Sequence, residues 1–470
     1  MSKAEDLSKK LTYNRKSFWT EAKKTEQKSA FKFAEGYKKF LDEAKTEREA
    51  IRYYEKIFKE KGFKNIDEKN AGKKVFRIAR AKNAAIAIIG KKPISEGVNL
   101  IVSHVDAPRV DLKQSPLHED STTKLGIMKT HYYGGVKKYQ WMSTPLALHG
   151  VVIKNDGTKV DISIGENDAD PVFVMPDLLP HLARKVQYTK KIGEAVDAAK
   201  MNLVFNSIPY PDKDAKEAIK LNALSLLNEK YGIVEADFLS AELELVPAGK
   251  SRDAGIDKSM VLGYGQDDRI CAYTSAEAVF DAKKDLERTA IVYLADKEEI
   301  GSDGNTGAKS IFIVDFIADL LAKNVENADS MTLRKTLLKS QILSADVNAA
   351  INPNFPSVHE KENAVHLGFG VSVTKFTGSG GKGGSNDANA EFNSKIIKIF
   401  NAAKVNWQIG ALGKVDEGGG GTIAKFMAEH GAEVIDCGPG VLGMHSLYEL
   451  TSKADIYSAY KAYKTFFEKA

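Results

Sequence analysis

The sequence is poor in cysteine and contains no long apolar run. Its 470 residues include only two cysteines, Cys271 and Cys437, which excludes a disulfide framework and favours a reducing, cytoplasmic location. No apolar stretch is long enough to cross a bilayer, so we expect no membrane partner. The charged start MSKAEDLSKK predicts that there is no signal peptide.

Neither sign of charge dominates. The 68 basic and 63 acidic residues leave a formal net charge of only +5, which indicates a solvated, lysine-rich surface and not a nucleic-acid partner. Hydrophobic residues are 43% and charged residues 28%, as in ordinary globular proteins. Because the chain is longer than one typical hydrophobic core requires, we expect two domains.

Hydrophobic patterning predicts an α/β domain with a β-rich insertion. Apolar strands alternate with amphipathic helices early in the chain and again after Gly263, which is typical of a helix-flanked sheet. Between them short β runs prevail, and Asp156 and Gly157, between VVIK and KVDISI, predict a hairpin. We therefore assign residues 1–110 and 259–470 to the α/β domain and residues 111–258 to the insertion.

One apolar strand ends in a histidine and an aspartate. In VNLIVSHVDAPRV, strand alternation places His104 and Asp106 on the same face. Buried charge needs compensation, and a metal ion is one common source of it. An ordinary polar cap on a strand end is the alternative.

Four further segments place acidic residues or histidine at strand ends or just after them. They contribute Asp267 and Asp268 in GYGQDDRICAY, Glu298 and Glu299 in IVYLADKEEIGSDG, Asp346 in ILSADVNAA, and His445 in CGPGVLGMHSLYE. Open α/β sheets keep their sites at the carboxyl ends of strands, and mixed histidine and carboxylate ligands suit zinc or a similar divalent ion. The set exceeds the needs of one tetrahedral metal and favours two ions. A helix start is the alternative for the Asp267 and Asp268 pair.

The motifs SHVDAPR, DDR, EEIGS, SADV and MHS resemble, in order and spacing, those of the M18 family of zinc aminopeptidases. The segments YYGGVKKYQWMSTPLALHG and TGSGGKGGSNDANAEF resemble its bacterial aminopeptidase I-like branch. The resemblance implies a two-zinc exopeptidase fold, α/β with a helix-flanked mixed sheet and an inserted β-rich dimerisation domain. It also implies a cytoplasmic hydrolase that removes single N-terminal residues from peptides, assembled as a tetrahedral homododecamer.

The resemblance also implies the ligands of two zinc ions, with manganese or cobalt as alternatives. The implied metal ligands are His104, Asp267, Glu299, Asp346 and His445. Asp267 would bridge the ions, His104 and Asp346 would hold one of them, and Glu299 and His445 would hold the other.

The same resemblance implies roles for four other residues, two of which also have a simpler structural interpretation. Glu298 would be the general base toward a metal-activated water, and Asp106 would orient His104. His181 resembles a histidine that reaches a neighbouring subunit's active site, with a partly exposed helix start as the alternative. Lys382 lies where a lysine that recognises acidic substrates could sit, with a loop-surface lysine as the alternative.

Other functions compete with this interpretation. A two-metal deacylase or phosphoesterase would use a similar site. A non-catalytic scaffold would lack a ligand or the base, and none of the seven expected residues is missing. The glycines at 418–421 precede a predicted helix but lack the Lys-Ser/Thr ending of a phosphate loop.

Overall fold

Helices and strands alternate along most of the chain. The structure is a computed structural model that describes residues 3–470. In chain order the helices are α1 Lys3–Leu11, α2 Phe18–Glu21, α3 Lys24–Glu43, α4 Glu47–Glu60, α5 Pro180–Val186, α6 Ile192–Ala195, α7 Ala218–Tyr231, α8 Gln266–Phe280, α9 Phe312–Asn324, α10 Ser330–Leu338, α11 Ala390–Ala402, α12 Ala424–Ala428 and α13 Lys453–Lys469.

The strands form three sheets. In chain order they are β1 Lys64–Asn65, β2 Lys74–Ala79, β3 Asn83–Ile88, β4 Asn99–His104, β5 Arg109–Glu119, β6 Gly126–Tyr133, β7 Leu146–Ile153, β8 Lys159–Ile164, β9 Leu203–Asn206, β10 Ala241–Pro247, β11 Arg252–Ala254, β12 Met260–Gly263, β13 Ala290–Ala295, β14 Gln341–Ser344, β15 Asn348–Ala349, β16 Val371–Thr374, β17 Trp407–Ile409, β18 Glu433–Gly438, β19 Gly440–Leu442 and β20 Glu449–Ser452.

A nine-stranded mixed sheet, in the order β1-β2-β3-β13-β4-β14-β18-β16-β17, lies at the centre. Strands β13, β4, β14 and β18 run parallel to their neighbours within that group. Every residue of β4 is buried, with Ile101 in one hydrophobic cluster and Leu100 and Val102 in another. Burial on both faces explains the continuous apolar run of this strand, because helices cover both sides of the sheet.

The second sheet is antiparallel and contains six strands in the order β8-β7-β10-β5-β6-β9. It uses residues 109–247, and the predicted turn at Asp156 and Gly157 joins β7 to β8. A five-stranded sheet, β11-β12-β20-β19-β15, was not expected. It pairs strands that are distant in sequence. The boundaries at residues 110 and 258 stay a prediction.

Helix α4 begins against the antiparallel sheet. Thr46 and Glu49 form a capping box at its start, and Glu49 also contacts Nδ1 of His149 on β7 at 2.8 Å. The buried carboxylate of Glu47 pairs with Arg109 of β5 at 3.2 Å. Buried charges are tolerated when they are paired, so these contacts fix how α4 meets the antiparallel sheet. Within residues 3–470, every helix is too short or too polar to cross a membrane.

Candidate metal centre

Parallel strands deliver the predicted ligands to one edge of the nine-stranded sheet. His104 is the last residue of β4, Asp346 follows the end of β14, and Glu298 follows the end of β13. Because these strands are parallel neighbours, their carboxyl ends meet at the same edge. Asp267, at the start of α8, and His445, in the loop between β19 and β20, complete the cluster.

Asp267 lies between two imidazole rings. Its Oδ1 is 3.3 Å from Nε2 of His104, and its Oδ2 is 3.1 Å from Nε2 of His445. On the first side, Oδ1 of Asp346 is 3.8 Å from Nε2 of His104. On the second side, Oε1 of Glu299 is 3.3 Å from Nε2 of His445. The cluster therefore has two halves that share one carboxylate.

The other nitrogen of each ring contacts a backbone carbonyl. Nδ1 of His104 lies 3.0 Å from the carbonyl of Asp106, and Nδ1 of His445 lies 3.1 Å from the carbonyl of Gly135. A carbonyl can only accept a hydrogen bond, so each Nδ1 carries a proton. Both Nε2 atoms face the carboxylate of Asp267 and hydrogen-bond to it, and a bound metal would take the place of the Nε2 proton.

Burial and crowding shift the acidity of the carboxyl groups. Burial is the main cause that raises the pKa of Glu298 to about 8, and it also raises the pKa values of Glu299 and Asp346. Burial opposes ionisation of Asp267 as well, but hydrogen bonds from His104 and His445 lower its pKa below the ordinary value. The cluster thus contains more carboxyl groups than its two imidazoles can pair with, and burial favours the uncharged form of three of them.

The donor set fits zinc. Ligand atoms of His104, Glu298 and Asp346 lie within 4.8 Å of one another, and so do those of His104, Asp267 and Glu299. Imidazole nitrogen and carboxylate oxygen are ordinary zinc ligands, and a divalent cation would balance the crowded carboxylates.

The sequence analysis gave no supporting role to two carboxylates that the structure places beside the cluster. Glu449 is buried, and its two oxygens accept the backbone N–H groups of Asp267 at 3.0 Å and His445 at 2.9 Å. Asp268, which was left without a role, accepts the backbone N–H of His104 at 3.2 Å. The only sequence signal for Glu449 was its position four residues after His445, and a surface carboxylate would look the same.

The structure leaves the two predicted substrate residues outside the cluster. His181 is an exposed residue of α5, and its side chain makes no hydrogen bond or ion pair within residues 3–470. Nζ of Lys382 pairs with Asp387 at 2.8 Å and lies 4.0 Å from the ring centroid of Phe376. Their roles in substrate binding stay predictions.

An open groove of about 850 Å³ reaches the cluster at Glu299. Leu112, His131 and Ile300 are among the residues that line it. Ligand sites are typically concave and contain a few placed polar groups, so the groove offers a path for a substrate chain. Imidazoles and carboxylates that share one aspartate, at the carboxyl edge of a parallel sheet and beside an open groove, indicate an α/β metalloenzyme.

Comparison with known proteins makes this class specific. Residues 40–467 match the sequence model of the Aminopeptidase I zinc metalloprotease family (M18), and the chain belongs to that family. A probable M18 family aminopeptidase 1 from Borreliella afzelii is 48% identical over 455 residues, which cover 96% of this chain and 99% of that protein. The prediction of a zinc aminopeptidase similar to bacterial M18 enzymes is confirmed.

Solved structures agree with the fold. The crystal structure of an M18 aminopeptidase from Thermotoga maritima has a TM-score of 0.93 and 44% identity, and the match covers 98% of this chain and 100% of that one. A structure described as a yeast dodecamer has a TM-score of 0.74 at 21% identity, with 95% and 97% coverage, and shows the shared fold alone. The predicted α/β peptidase fold is confirmed.

Proposed function

We propose that this zinc aminopeptidase removes single N-terminal residues from peptides at a two-zinc centre. The observation that carries the proposal is the position of Asp267, whose two oxygens face His104 and His445 separately. A carboxylate shared in this way suits the bridge of a two-metal site.

The residues of each half would hold one ion. His104 and Asp346 would hold the first, Glu299 and His445 would hold the second, and Asp267 would contact both. Zinc bound there would supply Lewis-acid polarisation of the peptide carbonyl and would lower the pKa of water to about 7. Manganese or cobalt would suit the same ligands.

Glu298 would move the proton during hydrolysis. Its carboxylate would take a proton from the attacking water and return it to the nitrogen of the leaving amine. Burial raises the pKa of its carboxyl above the ordinary value, whereas bound zinc would favour the carboxylate form that takes the proton from water. Its backbone N–H donates to Oδ1 of Asp106 at 3.1 Å, and this bond holds the start of the 298–300 turn in place.

Asp106 would orient the ligands around it. Its Oδ1 lies 3.3 Å from Nδ1 of His104, and its Oδ2 accepts the backbone N–H of Glu299 at 3.2 Å. The carboxylate therefore supports a ligand from each half of the cluster.

The substrate would enter as a free-amine peptide. The free N-terminal amine would lie near the second zinc ion and the nearby carboxylates, and this contact would limit cleavage to the first residue. His181 from a neighbouring subunit and Lys382 would contact the substrate, and Lys382 would first have to leave Asp387.

The insertion at residues 111–258 would mediate self-association into a tetrahedral homododecamer. Several large apolar side chains of this region are exposed, namely Val172, Leu179, Leu182, Tyr188 and Ile192. Exposed apolar groups concentrated in one segment are typical of interaction surfaces. The yeast relative described as a dodecamer supports the stoichiometry.

The buried free thiols of Cys271 and Cys437 suit a cytoplasmic enzyme.

The decisive experiment compares free and blocked substrates. The zinc-loaded protein should hydrolyse aminoacyl-anilides of Asp, Glu, Leu or Lys, and it should leave their N-acetylated counterparts intact. The ranking of first residues would show whether Lys382 favours acidic substrates. Elemental analysis should find two zinc ions per chain.

Preferential cleavage of the acetylated series would instead identify a deacylase. Failure to cleave any free-amine peptide at full zinc content would refute the proposal.

A further inference from the structure

The end of β6 reaches the metal centre from the antiparallel sheet. Strand β6 ends at Tyr133, and Gly134 and Gly135 follow it. These three residues, the 133–135 tract, belong to the YYGG motif, to which the proposed mechanism gives no part. The tract contacts the second half of the cluster directly and the first half through Asp106.

Tyr133 contacts the first half through Asp106. Its hydroxyl donates to Oδ2 of Asp106 at 2.8 Å. Asp106 is fully buried, and the same oxygen also accepts the backbone N–H of Glu299. Loss of the hydroxyl would leave a buried carboxylate short of one donor, which solvent could not readily replace.

The ring of Tyr133 is itself held in place. The guanidinium of Arg109 lies 4.0 Å from its centroid, and Arg109 pairs with Glu47 at 3.2 Å and Glu244 at 3.1 Å. These partners are buried, so the hydroxyl has little freedom to leave Asp106.

The two glycines contact the second half. The carbonyl of Gly135 accepts a hydrogen bond from Nδ1 of His445. A Cβ at position 135 would lie 3.1 Å from that nitrogen. A Cβ on Gly134, whose φ is +73°, would lie 3.2 Å from Cβ of Glu299. Glycine at both positions lets the backbone approach the two ligands closely.

We propose that Tyr133 is a positioning residue of the metal centre and that the 133–135 tract couples the antiparallel sheet to both zinc ions. Tyr133 acts through Asp106 on His104, and Gly135 acts on His445. This inference rests on the proposed two-zinc function.

The test uses the full-length, zinc-loaded enzyme. Competition with a chromophoric chelator measures the affinity of each zinc ion, and steady-state kinetics separate kcat from KM. Tyr133→Phe should weaken the binding of the zinc ion held by His104 by about 10- to 100-fold. It should also lower kcat, with little change in KM. Gly135→Ala should weaken the binding of the other zinc ion, because the methyl group of the alanine would displace the ring of His445.

A double variant tests the route through Asp106. If Tyr133 acts through that carboxylate, Tyr133→Phe should add no further loss to Asp106→Asn. Tyr139→Phe removes the same atom from an exposed tyrosine nearby and should match the parent enzyme. Zinc-free Tyr133→Phe should melt only slightly below its parent, because Oδ2 of Asp106 keeps the backbone N–H of Glu299 and the ring keeps its Arg109 contact, and this loss should be smaller than the loss of zinc affinity.

Three results would overturn the inference. They are unchanged zinc affinity and kcat in both Tyr133→Phe and Gly135→Ala, additive losses in the double variant, and an affinity loss matched by lower stability of the zinc-free protein. Failure of the proposed function would look different, because the parent enzyme itself would then lack two zinc ions or peptide cleavage.

Discussion

At the scale of the residue, Glu298 and Glu299 show how neighbours in sequence acquire different chemistry. Oε1 of Glu299 lies against His445, whereas Glu298 groups with His104 and Asp346. Asp106 accepts the backbone N–H of both glutamates, so the turn between them is held from one side. Glu299 reaches His445 and Glu298 reaches Asp346, so the proposed ligand and the proposed base can be adjacent in sequence.

We expect Glu298→Gln to keep its zinc and to lose about 10²- to 10⁴-fold in kcat, because the amide cannot accept the proton from water. Elemental analysis and steady-state kinetics on one preparation would check this. Glu326→Gln, at an exposed position, should behave like the parent enzyme. Normal turnover at full zinc content would show that another group is the base.

At the scale of the element, the contact between α4 and β7 depends on a buried histidine. Both ring nitrogens of His149 contact carboxylates, Glu49 at 2.8 Å and Glu166 at 2.9 Å. Burial alone would lower the pKa of His149, but these hydrogen bonds raise it to about 9. The ordinary value of about 6.5 applies to the unfolded chain.

This shift predicts pH-dependent stability. The folded pKa is the higher one, so the stabilisation is fully present below pH about 6.5 and is lost as the pH rises through about 9. We expect His149→Gln to be less stable than the parent by about 1–3 kcal/mol at pH 6, with a smaller difference at pH 10. Thermal unfolding across that range would measure it.

The control for this prediction is His118→Gln, at an exposed histidine of β5, which should follow the parent at every pH. If the loss of stability in His149→Gln stays constant from pH 6 to pH 10, the charge of the imidazole does not contribute to stability.

The hydrophobic pattern of the sequence predicted the presence of helices and strands better than the residues at which they begin and end. The apolar run at Ala290–Ala295 is the strand β13 as expected, because continuous apolar side chains suit a strand buried on both faces. After the glycines at 418–421, the hydrophobic pattern predicts a helix near Thr422 to His430, but the helix found there contains only Ala424–Ala428. Its flanks satisfy their hydrogen bonds in turns, and periodicity alone cannot show where a helix stops.

At the scale of the whole molecule, the exposed apolar side chains of the insertion predict assembly. Light scattering should give about twelve times the chain mass of 51.5 kDa. Leu182→Asp places a charge on an exposed apolar side chain of α5 and should shift the protein toward smaller species. Ile311→Asp, at an exposed position outside the insertion, should not.

A monomeric parent protein would contradict the proposed assembly. It would also remove the basis for a contact between His181 and a neighbouring active site.

The sequence by itself determined the class of site. The spacing of His104, Asp106 and Asp346 after apolar strands predicted that their side chains meet at one sheet edge, because parallel strands end together. The resemblance carried by the five motifs then supplied the family.

Only the tertiary structure decided what surrounds those residues. Tyr133 and Glu449 belong to other sheets, and their contacts with Asp106 and Asp267 depend on how three sheets pack together. No local periodicity encodes such contacts, because they join segments that are distant in sequence. The arrangement of the cluster in two halves around Asp267 is also a tertiary feature. His104 lies far before Asp267 in the sequence and His445 lies far after it.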